Sequence, residues 1–425
     1  METSPSIPPI VAWVGLDWAD QQHVGRLQAS GSAQVEAFVL DQKPEILRAW
    51  VQQLRTRFPG GAVAIALEQS RGALLYALMN YDFLVLYPVP PRSLAAYRRA
   101  FYPSGGKDDA VDADLLLDFL RKHQDRLRPW RPDDALTRQI RLLVEQRRKL
   151  IADRTRLTNR LSAALKEYFP QALEWAGELA SPTACQFLSR WPTLEKLQQA
   201  SGRQVRDFYH AHRRLTPLEW EDLQEQIRKA QPLTSDLAVV QSWALVVPLW
   251  VEQLRCLLPA LERLDTALQL LFQQHPDHLV FDSFPGAGEA LAPRLLAAFG
   301  SDRERFQDAA EVQRFSGIAP VTERSGKTHY VHWRLACPKF VRQSFHEFAA
   351  HSRHWSPWAS AYYQQLRERG VSHHAALRAL AFKWIRILYR CWKDRTLYDE
   401  HRYQQALKRR GSPLCLALLS QEVPA

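Results

Sequence analysis

The run VAWVGLDWA at residues 11–19 decides the architecture of the first part of the chain. Its apolar residues run through Gly15 to Asp17, the pattern of a buried strand that ends on a carboxylate. Two shorter segments follow, VGRLQA (24–29) and VEAFVL (35–40), joined through a Gly/Ser turn at residues 30–32. They predict a small antiparallel meander beside the first strand. Next come a helix after Pro44, the strand VAIALE (63–68), a helix from Gly72 to Tyr81 and the strand FLVLYPV (83–89). Strands alternating with helices predict parallel pairing through crossovers, so the segment reads as a mixed α/β sheet.

A ribonuclease H-like (RuvC-like) sheet has this order, and we expect it over residues 8–130. From Pro132 the pattern becomes helical: residues 136–169 carry Leu136, Ile140, Leu143, Leu150, Leu157, Leu161 and Leu165 at helical spacings. Residues 131–170 hold ten Arg or Lys against five Asp or Glu. A basic coiled-coil arm or dimer element is the preferred reading, with a bundle helix as the alternative. We expect residues 131–284 to be a helical, coiled-coil region with room for an insert, its helices interrupted near Pro182, Pro192, Pro217, Pro232 and Pro248. A third, mostly helical domain is expected over residues 285–410.

With 425 residues, 46% hydrophobic and 24% charged, the chain has ordinary globular composition, which excludes wholesale disorder. Lys plus Arg number 56 against 45 acids, a formal +11, and 44 of the 56 are Arg. Guanidinium forks suit phosphates, so a polyanionic partner is expected, although a GC-rich coding sequence also enriches Arg. The five scattered cysteines form no CxxC pair, which predicts a reduced interior without a disulfide framework or zinc knuckle. The first residues carry neither a basic start nor a cleavable apolar segment, so a cytoplasmic protein is expected. The apolar run at 245–264 is interrupted by Glu252, Arg255, Glu262 and Arg263 and reads as a core helix.

The chemistry concentrates on carboxylates. Asp17 and Glu68 each end an apolar strand run, and GGKDDAVDADLLLDFLRKH (105–123) places Asp109 and Asp112 three apart on one helical face. Asp108 and Asp114 fall on other faces. Were the helix to cross the strand ends, Asp17, Glu68, Asp109 and Asp112 could converge, and clustered carboxylates call for divalent cations. The alternative is that Asp108 and Asp109 cap a helix whose outer face carries Asp112 and Asp114.

Farther on, FPGAGEALAPRLLAAFG (284–300) sets Pro285, Gly286 and Gly288 in a turn before a helix, either to hold a phosphate or simply to turn the chain. RFSGIAPVTERSGKTHYVHWR (314–334) puts Ser325 in a basic, glycine-bearing loop with Lys327, His329 and His332. By itself the S-G dipeptide is a turn, and the two histidines lack a third ligand, so we assign them polar or stacking roles. Arg92, Arg98, Arg99 and Lys107 alternate with Tyr97, Phe101 and Tyr102, a pattern that suits a nucleic-acid backbone track.

Taken in order, VGLD, EQSRG, KDDAVDA, PGAG, FSGIAP and RSG resemble the DEDD transposases of insertion sequences, relatives of Piv-type DNA invertases that include the RNA-guided bridge recombinases. Asp108 stands where the family's KTDxxDA-like segment has threonine. The resemblance implies that Asp17, Glu68, Asp109 and Asp112 bind Mg2+, which Mn2+ could replace, and that Ser325 is the nucleophile that joins to cleaved DNA. It further implies double-stranded DNA of element ends and target as substrate, a bridge RNA in some members, and a dimer or tetramer with composite active sites. Arg92, Arg98, Arg99, Lys107, Arg147, Arg148, Arg154, Lys327 and Arg334 are expected along the nucleic acid. Two other readings stand beside it: a metal-dependent, junction resolvase-like nuclease with a structural Ser325, and a noncatalytic nucleic-acid scaffold.

Overall fold

The computed structural model describes residues 8–68, 72–101, 108–212, 216–326, 328–412 and 414. Contacts divide the chain into two units, residues 1–132 and 133–425, so the middle and C-terminal stretches expected as separate domains fall in one unit.

The first unit is a five-stranded sheet in the order β3-β2-β1-β4-β5. Its strands are β1 (Ile10–Asp17), β2 (Gln22–Ala29), β3 (Glu36–Asp41), β4 (Ala62–Leu67) and β5 (Leu84–Pro88). The first three form the antiparallel meander, while β1, β4 and β5 run parallel, with Leu16 beside Leu67 at the last paired position. Crossover helices α1 (Pro44–Arg57) and α2 (Ala73–Leu78) precede β4 and β5, and α3 (Pro91–Phe101) and α4 (Asp109–His123) follow. All six residues of β4 are buried.

Side-chain parity gives the sheet two unlike faces. Val14, Leu16, Val63, Ile65 and Leu67 pack with Trp50, Leu54 and Leu75 from α1 and α2. On the other face Ala62, Ala64 and Ala66 meet Leu115, Leu116 and Leu120 of α4. These small residues let the helix lie close. At Gly15 the approach is closest, since a Cβ there would stand 2.3 Å from the carbonyl oxygen of Ala113 and 2.4 Å from the amide nitrogen of Leu117.

In the second unit the basic helix α5 (Ala135–Tyr168) pairs with α11 (Leu237–Gln274). The pair is antiparallel: Arg147 meets Asp265, and Trp243 Nε1 donates to Glu167 at 3.0 Å. Five short helices lie between them, α6 (Ala172–Trp175), α7 (Pro182–Arg190), α8 (Leu194–Gln199), α9 (Gly202–His212) and α10 (Pro217–Lys229). They close a core with Leu157, Leu161, Leu165, Val247, Val251 and Leu254. The apolar face assigned to a coiled coil is thus covered within the chain.

A second core joins the other ends of the same pair, Ile140, Val144, Leu268 and Phe272, to the C-terminal helices. These are α12 (His278–Asp282), α13 (Gly288–Phe299), α14 (Ala309–Phe315), α15 (Lys339–Ser352), α16 (Pro357–Glu368), α17 (His373–Asp394) and α18 (Glu400–Arg409). Trp358, Trp384, Trp392, Phe299 and Phe348 fill its centre. An exposed hairpin, β6 (Val321–Ser325) and β7 (Thr328–His332), projects between α14 and α15 in the chain.

Two expectations change. Pro182 and Pro217 begin helices, but Pro248 does not break one: α11 starts at Leu237 and runs through Pro248 and Pro259. An interior proline costs roughly 3 kcal/mol, which the packing of Val247, Val251 and Leu254 offsets. Nor is α11 wholly a core helix. Among the described residues it is long and apolar enough to cross a membrane by length and composition, with 22% of its most apolar window buried. Leu237, Leu245 and Leu249 are exposed. Cys185, Cys256, Cys337 and Cys391 are free thiols, and Cys415 lies outside the described residues.

Candidate functional site

Three of the four predicted acids face one side of the sheet in the first unit. In β1 the even residues point to α1 and α2, so Asp17 shares the α4 side with Gly15. Glu68 directly follows Leu67, which pairs beside Leu16, and its parity matches Ala64 and Ala66. Asp112 is fully buried on α4, one turn before Leu116. Asp17 is also buried, and Glu68 is half-buried.

Asp109 behaves differently. It opens α4 and is exposed, although Asp112, three residues on, is buried. Asp108 is the N-cap, its carboxylate accepting from the Ala110 amide at 3.1 Å. Asp114 is held by Arg26 of β2 at 2.8 Å. The acidic cluster in the sequence therefore resolves into a cap, an exposed acid, a buried acid and a strut.

Arg98 of α3 is the immediate neighbour of Asp112. Its Nε donates to Asp112 Oδ1 at 2.7 Å, and a second guanidinium nitrogen reaches the same oxygen. Asp112 Oδ2 is buried without a hydrogen-bond partner. A buried carboxylate oxygen with nothing to bind is costly, and a hard divalent cation is the ligand that such an oxygen suits. The donor chemistry of Asp17, Glu68 and Asp112 fits such an ion. Among the described residues no three Asp, Glu, His or Cys side chains are gathered closely enough to hold one in this conformation, in which Arg98 takes the other oxygen of Asp112.

Around this site the predicted basic track divides. Arg92 and Arg99 are exposed on α3. Arg98 is committed to Asp112, and Lys107 and Tyr102 lie outside the described residues. Tyr97 is not a free stacking platform: its ring packs on Phe119 at 5.1 Å and its hydroxyl donates to Asp118 at 2.7 Å, which clasps α3 to α4. Burial, reinforced by the neighbouring Asp118 carboxylate, pushes its pKa up to about 12.

In the second unit Ser325 closes the hairpin. It pairs with Thr328, and Gly326 between them has φ +56°. A two-residue loop of this kind needs a positive φ, which glycine supplies without strain. Ser325 is exposed, and among the described residues no side chain hydrogen-bonds to its Oγ. His332 sits at the root, tied to Glu323 at 2.8 Å, a bond that raises its pKa; His329 pairs with Arg324 across the ribbon. Lys327 lies outside the described residues.

The flanking motifs act on packing. Gly317 of FSGIAP has φ +72°, and a Cβ there would stand 2.3 Å from Cys337 Sγ, so it brings the two ends of the hairpin segment together. Gly286 of PGAG, at φ +76°, lies against the carbonyl of His351, where a Cβ would be 3.1 Å from the oxygen. Its contacts are those of a turn seated on α15. On α5, Arg147 is bound to Asp265, whereas Arg148 bonds to Gln343 at 2.7 Å and lines an open groove of about 620 Å³ with Lys149 and Arg156. Arg154, between the groove-lining Asp153 and Thr155, is half-buried.

The protein thus carries three acids at one face of the sheet in its first unit and an exposed serine on a hairpin in its second. Two family descriptions match it, a DEDD transposase of the IS110 type over residues 14–170 and a transposase of the IS116/IS110/IS902 family over residues 279–364. The chain belongs to this family of insertion-sequence transposases, and is an enzyme of that kind.

Full-length relatives agree. The "Mini-circle putative transposase for IS117" of Streptomyces coelicolor is 28% identical over 410 residues, covering 92% of this chain and 96% of its own. The "Insertion element IS110 uncharacterized 43.6 kDa protein" of the same organism is 28% identical over 91% of this chain and 95% of its own. The "Insertion element IS900 uncharacterized 42 kDa protein" of Mycobacterium paratuberculosis is 27% identical over 91% and 96%. These alignments leave too little of the chain unmatched to omit residues 171–284 as a whole, so most of the middle is aligned with the relatives. Membership in a DEDD family implies a divalent metal.

Proposed function

We propose that the protein cuts and rejoins double-stranded DNA at the ends of a mobile element and at its target, using a ribonuclease H-like acidic site and Ser325. The observation that carries this reading is the orphaned Oδ2 of Asp112, a buried acid on the helix that packs on the sheet face to which the parity of Asp17 and Glu68 assigns them. Asp17, Glu68, Asp109 and Asp112 would hold Mg2+, for which Mn2+ could substitute; when bound, the ion activates an oxygen nucleophile and screens a phosphodiester. Asp109, exposed at the start of α4, is the acid open to an approaching strand.

Ser325 supplies the second step of the proposal. Its Oγ–P bond forms as a P–O bond of the DNA breaks; the departing strand leaves as an alcohol, and the serine proton goes to that oxygen or to solvent. Serine is a poor nucleophile at its own pKa. A positive setting, with Arg324 beside it, lowers the cost of the oxyanion. The substrate expectation extends to a bridge RNA that would select both DNAs by base pairing, with the protein reading backbone and shape. It also extends to a homodimer or tetramer with composite sites.

Ser325→Ala and Asp112→Asn, each assayed for strand exchange and for a covalent protein–DNA adduct, test the proposal. Loss of both products in each variant, with unchanged thermal stability of the serine variant, is expected. Retained exchange in Ser325→Ala would leave a metal-dependent nuclease as the better reading. Copurification followed by sequencing of bound RNA tests the guide.

A further inference from the structure

The root of the Ser325 hairpin carries a group of arginines with no carboxylate partner among the described residues. Trp333 follows β7 directly and is 47% exposed. The guanidinium of Arg378 from α17 lies 3.8 Å from its ring centroid, and that of Arg342 from α15 lies at 5.7 Å. Arg342 also donates to the Arg334 carbonyl at 3.5 Å, which fastens the strand exit to α15. Arg378 Nη1 and Arg334 Nε are both buried without a hydrogen-bond partner.

Among the described residues no carboxylate pairs with these three arginines. The acids nearby are already engaged: Glu347 holds Arg294 and Gln343, and Glu323 holds His332. Cations gathered without counter-charge repel, and unfilled guanidinium N–H groups lose hydration with nothing gained in return. An anion with several acceptor oxygens would satisfy both, and a phosphodiester matches the fork geometry of arginine.

We propose that Arg334, Arg342 and Arg378, arranged around Trp333, form a phosphodiester-binding site at the hairpin root, separate from Ser325. The site rests on the reading of this unit as one that handles nucleic acid. A strand laid along β7 from Ser325 to Trp333 would cover roughly 17 Å, about five nucleotide steps of duplex rise. The site thereby holds the backbone at a distance from the reacting phosphate, as a positioning contact without base readout.

Full-length protein, binding a 30-base-pair DNA duplex or an RNA stem of equal length over a range of NaCl concentrations, provides the test. Each lost phosphate contact lowers the slope of log K against log salt by about 0.9. Arg342→Gln/Arg378→Gln is expected to lower it by about one to two in at least one arm, equally for unrelated sequences. Since Arg378 packs on Trp333, Arg342→Gln alone serves as the milder variant, with a drop of about one. The arm that responds identifies DNA or RNA as the source of the phosphate. Parental slopes in both variants and both arms, or no salt-dependent binding to either probe, overturn the proposal. Parental slopes with strand exchange intact would remove this site alone; lowered slopes in the variants with no strand exchange by the parental protein would instead count against the recombination reading.

Discussion

Arg98 Nε donates to Asp112 Oδ1 at 2.7 Å, leaving the other oxygen of a fully buried carboxylate without a partner. One cation from within the chain therefore satisfies half of an acid that the fold has removed from water. Breaking such a pair from one side is expensive, on the order of 3–5 kcal/mol. Arg98→Gln should lower stability by about that amount in urea titrations, and adding Asp112→Asn should restore part of it. Additive losses would show that the two side chains act independently.

The orphaned oxygen also predicts a metal response. A ligand that binds only the native state at 100 times its dissociation constant stabilises by about 2.7 kcal/mol. Mg2+ or Mn2+ should therefore raise the melting temperature of the parent protein, and EDTA should reverse the rise. In Asp112→Asn the shift should vanish. A shift that survives in that variant would place the ion elsewhere.

Gly15 tests the close seat of α4. A Cβ there would meet backbone atoms of Ala113 and Leu117 at 2.3 and 2.4 Å, atoms that cannot rotate away. Gly15→Ala should cost about 1–3 kcal/mol, and it should reduce strand exchange because α4 carries Asp112. Unchanged denaturation would mean that the helix can slide without loss.

The two glycines near Ser325 should differ. Gly317→Ala combines φ +72° with a 2.3 Å approach to Cys337 Sγ, whereas Gly326→Ala at φ +56° meets no atom within 4 Å. The second should cost about 1–2 kcal/mol, and the first distinctly more. Chemical denaturation of both variants checks the order; a reversed order would show that the loop, rather than the root, limits the hairpin.

His275 sets part of the pH dependence. Burial lowers its pKa below 6.5, although the carboxylates of Asp277 and Asp134 act the other way. Its Nδ1 accepts the Asp277 amide at 3.0 Å, and its Nε2 lies 2.9 Å from Thr137 Oγ1, so the folded ring is neutral. The unfolded chain takes up the proton first. The contribution is thus full above the unfolded pKa and is lost as pH falls through it toward the folded value. The melting temperature should drop between pH 7 and pH 5, and His275→Gln should flatten that drop. Equal slopes in parent and variant would exclude His275 as the cause.

Much of this was legible in the chain. The apolar runs VAWVGLD and VAIALE predict two buried parallel strands with acids at their ends, and the meander follows from the short segments between them. The roles of Asp108, Asp109, Asp112 and Asp114 were not, because helical spacing specifies which residues share a face and leaves open what covers it. A signal for Arg98 lay in its place within the basic stretch, yet that composition points equally to phosphate and to a buried acid. Arg342 and Arg378 carried no signal, since their common neighbour Trp333 belongs to neither helix.

Local sequence determined the elements: period-two and period-3.6 patterns, the glycine-bearing hairpin turn, and the order of acids and serine. Tertiary structure alone decided the partners. It seated α5 on α11 within one chain, carried α11 through Pro248, bound Arg98 to Asp112 and set Arg378 on Trp333. The physical reason is that periodicity creates an apolar face or a charge at a known angle, whereas the free energy gained depends on which distant surface arrives to bury or pair it.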